Sequence, residues 1–457
     1  MVDTWVSLLV AGTLLLVGFA ASLVFQKYRV PDFILLMLLG FGLSLIPFAP
    51  FGPGLLQSLA PLLPLFTQLT IAFILFEGGL SLRLRDSGRS VPAIVAHGLI
   101  AMGLTAFLIW FLLTRFFAIS ETTALVVAMA FSGPSASVAL SFAPRMHLDP
   151  RAENAIVLEG VLTNVIAVIG VLLVLEWYGS PGNFFLVPYL AQVGEAIGLG
   201  VVLGFGWGRV VDRLAQQRFV SMATLGLAIV VYAAAQGFLA QNGALAVFVL
   251  GLVVGIERKS QSTKKAAAGA ASRPPSPDDV LRELSCFVEA TDGPRPSNGS
   301  TASPSAMSLR NFQSEITFAL RTFFFIYLGL LLASEWGGTG SILVSVLLVA
   351  VFLLGRLPTT AALGWGLALY PRDTRAVYAS MARGMTDVVL VLFAVQSGIL
   401  PQPEVQFILG IIPTVVLLAA VASAALVVWA GHSPGATQVA VLRPNAIAAA
   451  DGSRREP

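Results

Sequence analysis

The sequence predicts an all-α polytopic membrane protein of about thirteen transmembrane helices, two of them discontinuous, and three observations carry that prediction. Of 457 residues, 56% are hydrophobic and only 11% charged, whereas a soluble globule carries about 25% charged residues. The bilayer must therefore be the solvent. Apolar stretches of about twenty residues, enough to cross ~30 Å of hydrocarbon at ~1.5 Å per residue, recur from one end of the chain to the other. The cations between those stretches fall in alternate turns.

The expected spans run approximately over 4–26, 31–48, 60–82, 91–117, 122–143, 152–176, 187–211, 219–240, 243–256, 314–334, 341–368, 374–398 and 405–430. The first lacks a small-residue cleavage pattern and leads directly into another span, so it reads as a retained helix rather than a signal peptide. Turns after odd-numbered spans hold Lys27 and Arg29; Arg83, Arg85 and Arg89; Arg145 and Arg151; Arg213 and Arg218; Arg258, Lys259, Lys264 and Lys265; and Arg372 and Arg375. Turns after even-numbered spans hold almost none, Arg115 being the main exception. The positive-inside rule then puts the N-terminus outside and the C-terminus in the cytoplasm, which requires an odd number of spans.

Residues 1–256 make the first membrane part, spans one to nine with the seventh as a bridge, and residues 313–431 hold the remaining four. Between them, 257–312 shifts to Ala, Ser, Pro and charge, a composition too poor in apolar area to order itself, and reads as a disordered cytoplasmic linker with room for one short helix around DDVLRELSCFVEA. The tail, 432–457, reads the same way. Asn298-Gly-Ser300 fits a glycosylation sequon but falls on the expected cytoplasmic side, where it carries no weight.

Several function classes are excluded. A formal net charge of +3 implies no large basic face for nucleic acid. The single cysteine, Cys286, rules out an intramolecular disulfide, and His97, His147 and His432 have no metal-ligand spacing. With no metal cluster, nucleophile elbow or phosphate loop, neither an enzyme nor a cofactor is expected.

Comparing spans one to six with eight to thirteen gives two sets that enter from opposite sides, the arithmetic of an inverted repeat. In such proteins the site lies near the midplane, where corresponding helices are interrupted. The fifth span is broken by Ser132-Gly133-Pro134-Ser135, and the twelfth carries Arg383-Gly384 followed by Thr386-Asp387. Both interruptions point to one place, and alternating access follows more naturally from them than a channel does.

A charge at mid-bilayer costs about 2.5–3.5 kcal/mol on insertion scales and needs a partner or water. The candidates are Glu77, Glu159, Glu195, Arg321, Arg356, Arg383 and Asp387. Glu77 and Glu195 read as structural or interfacial. Glu159 and Arg356 sit well inside apolar runs and neutralise each other, holding two helices in register; direct coordination of an ion by Glu159 is the alternative. Thr163 is four residues from Glu159 and on the same face, while Asn164 lies a further ~100° round the helix. An isolated intramembrane Asn is read first as a helix-to-helix hydrogen bond.

Five segments resemble, in order, the prokaryotic sodium/proton antiporters (NhaP-like) of the monovalent cation:proton antiporter superfamily: LFEGGLSL at 75–82, AMAFSGPSASVAL at 128–140, LEGVLTNVIAVIGVLLVLE at 158–176, EITFALRTFFFIYLGLLL at 315–332 and ARGMTDVVLVLFA at 382–394. The resemblance implies a thirteen-helix inverted-repeat antiporter fold in the cell (inner) membrane, a homodimer, and a six-helix core that moves against a dimerisation domain. By position it implies cation oxygens from Ser132 and Thr163, a core ion pair of Glu159 and Arg356, and the Arg of an Arg-Gly motif at Arg383. The family's ion-binding Asp falls on Asn164, whose amide ligates a cation but does not carry the exchanged proton. At 387 the family usually has a small apolar residue, whereas this chain has Asp387, one turn after Arg383.

Two readings of Asp387 stay open: it has taken over the titrating role with Asn164 as a neutral ligand, or it pairs with Arg383 at i, i+4. The corresponding functional readings are exchange of Na⁺ or K⁺ for H⁺, and a non-transporting or uncoupled relative that senses or scaffolds. The expected partners are a monovalent cation, the proton, lipid and a second copy of the chain.

Overall fold

The computed structural model describes residues 12–13, 15–21, 23, 32–46, 59–81, 91–135, 148, 150–179, 186–214, 219–239, 242–271, 304–334, 339–367 and 369–431. The described elements are all helical: α1 (Asp32–Ser44), a 3₁₀ turn (Ala60–Leu62), α2 (Leu63–Ser81), α3 (Val91–Phe116), α4 (Glu121–Ala130), α5 (Pro150–Gly179), α6 (Leu186–Arg213), α7 (Val220–Phe238), α8 (Gly243–Ala271), α9 (Pro304–Ser334), α10 (Thr339–Gly366), α11 (Pro371–Ala379), α12 (Met385–Gln396) and α13 (Gln402–Gly431). Among them, eight are long and apolar enough to cross a bilayer. The chain is an all-α polytopic membrane protein, and the expected spans from the second onward coincide with described helices. Of the first span only 12, 13, 15–21 and 23 are described, all of them helical, while most of the second half of the fifth and the tail 432–457 lie outside the described residues.

Two boundaries differ from the sequence reading. Helix α8 runs on to Ala271 and α9 begins at Pro304, so the ends of the segment 257–312, expected to be without order, continue the membrane helices. The stretch KSQSTKKAAAGAA explains the first extension, because Lys, Gln and Ala are strong helix formers even where no apolar face is buried. The break in the twelfth span covers Ser380–Gly384, so Thr386 and Asp387 already belong to α12.

By contact the chain divides into two compact units, one of Met1–Leu59, Arg83–Val174 and Phe324–Pro457, the other of Ala60–Leu82 and Leu175–Phe323. The second unit is built around α8, which packs on α2, α6 and α7. Glycine permits the closest of these approaches: a Cβ on Gly251 would press on the Phe76 main-chain carbonyl, and one on Gly79 on that of Phe248. Without a hydrophobic drive between helices in lipid, such close packing and a few polar contacts supply the association. Here Trp207 Nε1 donates to Thr224 Oγ1 at 2.9 Å, Tyr232 donates to Gln68 Oε1, and Thr317 Oγ1 donates to Glu77 Oε2 at 3.1 Å. Gly251→Leu is expected to cost about 3 kcal/mol by overpacking, read as a lowered thermal midpoint in detergent and loss of folded protein from the membrane.

The first unit is built around α10, which packs on α3, α11 and α13, while α4 packs on α3 and α12. Helices α4 and α12, of 10 and 12 residues, are too short to cross; at ~1.5 Å per residue they reach about halfway through the hydrocarbon. These half-helices position the site.

Candidate functional site

Helix α4 is set at its start by a cap and ended by its sequence. Ser120 is the N-cap and accepts from Thr123 N; Glu404 of α13 in turn accepts from Ser120 N at 2.9 Å and from the Ser120 hydroxyl. The last helical bond is Phe131 N to Val127 O. Pro134 has no N–H to continue the ladder, and the chain runs unwound through Ser132, Gly133, Pro134 and Ser135. Helix α11 starts with Pro371 at its first turn and ends at Ala379. The next five residues are unwound, and α12 begins after Gly384, whose backbone is extended at φ −118° and ψ −170°.

The two unwound segments meet. Ser135 N donates to Ala382 O at 3.0 Å, and the Arg383 guanidinium donates to the Gly133 carbonyl. Arg383 is 1% exposed, with its guanidinium carbon 3.9 Å from the centre of the Phe352 ring. Aromatic face and carbonyl dipole together compensate a desolvated cation, the first by about 2 kcal/mol.

Behind this crossing stands α5. A Cβ on Gly133 would lie 2.6 Å from both Cβ and Oγ1 of Thr163, so only glycine admits the fully buried Thr163 here. The Thr163 hydroxyl donates to Glu159 O at 2.9 Å, and the Ser132 hydroxyl donates to Met129 O at 2.9 Å. Both spend their single proton on a main-chain carbonyl and keep their lone pairs, the form in which a hydroxyl ligates a cation. Gly133→Ala is expected to destabilise by about 1–3 kcal/mol and to slow any exchange, as measured by thermal unfolding and by flux in vesicles.

Below the crossing, Glu159 and Arg356 form a bidentate pair: Nη1 to Oε1 at 2.8 Å and Nη2 to Oε2 at 3.0 Å, with 0% and 3% of the residues exposed. Nη2 of Arg356 also donates to Val377 O at 2.8 Å and approaches Ser380 Oγ at 3.3 Å. The pair thus reaches from α5 through α10 to the end of α11.

Asp387 is 2% exposed and sits in the first turn of α12, where its Oδ2 accepts from Gly384 N at 2.9 Å. The i, i+4 pairing with Arg383 presupposed a continuous helix. Arg383 instead lies in the unwound segment and donates to the Gly133 carbonyl, so its link to Asp387 is a charge attraction without a hydrogen bond, and Asp387 also caps its own helix.

The structure therefore brings Ser132, Thr163 and Arg383 together around Gly133 and pairs Glu159 with Arg356. Asn164 follows Thr163 on α5 and is half-buried; no hydrogen bond or ion pair joins it to Asp387 among the described residues. Sequence reasoning missed His97 of α3, whose Nε2 lies 3.5 Å from Glu159 Oε2, and it missed Glu404 and Phe352. For His97 the available signal was a lone titratable side chain inside the apolar run VPAIVAHGLIAMG.

Residues 12–272 and 294–429 match the family described as "Sodium/hydrogen exchanger, transmembrane". A solved structure of the sodium proton antiporter MjNhaP1 from Methanocaldococcus jannaschii at pH 8 is similar, with a TM-score of 0.69 and 16% identity, covering 93% of this chain and 98% of that one. A structure from an electron-microscopy map of MjNhaP1 gives a TM-score of 0.62, again at 16% identity over 93% and 98% of the two chains. At that identity the likeness is one of fold. No curated protein matches.

Proposed function

This chain belongs to the sodium/hydrogen exchanger family of transmembrane proteins, and on that premise we propose that it exchanges Na⁺ or K⁺ for H⁺ by alternating access, with Asp387 as the titrating group. Competitive antiport needs one group that holds either a proton or a cation, and a carboxylate does both. Residue 164 is an amide, so the proton needs another seat. The observation that carries the reading is the position of Asp387: a buried carboxylate in the first turn after the unwound segment that meets Ser132–Ser135. Ser132 and Thr163 supply hydroxyl oxygens, and Asn164 a neutral amide oxygen. Glu159 and Arg356 hold the frame, and Arg383 holds the crossing.

In this reading the protein is a homodimer of inverted repeats in the cell membrane, N-terminus outside and C-terminus in the cytoplasm, and it uses no cofactor. The second reading, an uncoupled relative, is favoured by one specific observation. Asp387 already spends one oxygen on the Gly384 N–H, a capping role that needs no ion.

The deciding measurement is cation-dependent collapse of an imposed ΔpH in proteoliposomes, with the unmodified protein beside Asp387→Asn and Asn164→Asp. Exchange that disappears with Asp387→Asn supports the relocated carboxylate. Silence in the unmodified protein, with exchange appearing in Asn164→Asp, means that the scaffold persists without coupled chemistry. Deleting residues 272–303, between the helical ends of the connecting segment, is expected to leave the exchange rate within about twofold, because their composition is too poor in apolar residues to build a packed part of the transporter.

A further inference from the structure

We propose that His97 is a positioning residue: it is the reserve donor to Glu159 Oε2, which frees Arg356 to grip the end of α11 where the chain unwinds toward Arg383 and Asp387. The argument starts from a count of hydrogens. A guanidinium Nη carries two N–H groups, yet Nη2 of Arg356 faces three acceptors: Glu159 Oε2 at 3.0 Å, Val377 O at 2.8 Å and Ser380 Oγ at 3.3 Å. At least one N–H is therefore shared between two acceptors, and each shared bond is weaker than an undivided one. The Ser380 hydroxyl donates to Val377 O at 2.6 Å, so those two acceptors form a single target at the α11 terminus, in competition with the carboxylate.

His97 is placed to settle that competition. It is 5% exposed on α3, its Nε2 is 3.5 Å from Glu159 Oε2, at the outer edge of hydrogen-bond range, and neither ring nitrogen has a well-formed hydrogen bond among the described residues. A buried polar atom without a well-formed hydrogen bond is costly, so such a group in a well-packed core calls for an explanation. A shift of under an ångström brings Nε2–H into full hydrogen bonding with Oε2. Gly98, the next residue, packs on the same glutamate, with its Cβ direction 3.5 Å from Glu159 Cγ. The groups facing His97 are thus Glu159 from α5 and, across that carboxylate, Arg356 from α10.

The consequence lies at the α11 terminus. With His97 present, Oε2 has a second donor and Arg356 Nη2 can commit to Val377 O and Ser380. Without it, the carboxylate draws Nη2 back, and the segment 377–384 loses its hold. The effect passes through Glu159 and Arg356, so the inference stands whichever reading of the exchange chemistry holds.

The test compares His97→Leu, which fills the space without a donor, with His97→Gln, which keeps an N–H. The first readout is amide hydrogen exchange in detergent over peptides spanning 377–387, with peptides from α6 and α13 as internal references. His97→Leu is expected to speed exchange in 377–387 about tenfold with the references unchanged, and His97→Gln to restore the protected pattern. Acceleration everywhere, or none in 377–387, overturns the proposal, as does a failure of His97→Gln to rescue. A second readout applies if the unmodified protein exchanges ions: His97→Leu is expected to lower the maximal rate with little change in the apparent KM for cation. An unmodified protein that moves no ions would sink the exchange reading while leaving the amide result to judge His97.

Discussion

Asp387→Asn is expected to lower cation-dependent proton movement at least ~100-fold, the scale on which a positioned proton-transfer group contributes, while the protein stays folded. The two halves of that expectation have separate causes. Asparagine keeps an oxygen where Oδ2 accepts the Gly384 N–H, so the first turn of α12 keeps its cap. It does not titrate, so the exchanged proton loses its seat. Asp387→Ala removes both functions and should add about 1 kcal/mol of destabilisation from the lost cap. A protein in which Asn and Ala are equally active, and only Ala is less stable, would assign Asp387 to capping alone. Adding Asn164→Asp to Asp387→Asn then asks whether a carboxylate on α5 restores exchange.

The second large effect concerns the buried pair. Glu159→Leu or Arg356→Leu alone is expected to destabilise by about 3–5 kcal/mol, because each leaves the partner's charge buried and uncompensated. The double Leu variant should recover most of that loss, since a hydrophobic pair of similar volume removes both desolvation terms. Thermal unfolding of the four proteins gives the coupling energy as a double-mutant cycle. Exchange is not expected to recover with stability. Arg356 also donates to Val377 O, and leucine offers α11 nothing in its place. If the double variant exchanges at the unmodified rate, Arg356 serves only to neutralise Glu159.

Much of this architecture was legible in the sequence because the bilayer enforces it. Spans show as apolar runs, and a Ser-Gly-Pro-Ser interruption inside one of them leaves main-chain groups that something must satisfy. Glu159 and Arg356 announced themselves as a pair because neither is tolerable alone at that depth. The partner of Arg383 was not legible. A rule for helix neighbours offered Asp387 as one reading, but the helix is unwound at 380–384, and the hydrogen bond goes to a main-chain carbonyl from another segment while Asp387 attracts the charge only. His97 was passed over because histidine in an apolar run carries no spacing signal until the fold brings α3 and α5 together. Glu404 sits at the start of a span, where a carboxylate reads as solvent-facing, yet it holds Ser120, the N-cap of α4. In each case the missing information was a contact between residues far apart in the chain.

The bond between Ser135 N and Ala382 O belongs to the main chain on both sides. Almost any residue type at those two positions can make it, so the scaffold does not depend on the identity of the residues that titrate or ligate. Residues 164 and 387 can therefore vary without breaking the main-chain bond that joins the two unwound segments. Such a fold can drift in ion, stoichiometry or even activity while its shape is inherited intact, and a likeness of shape alone is then a weak guide to what any one member carries across the membrane.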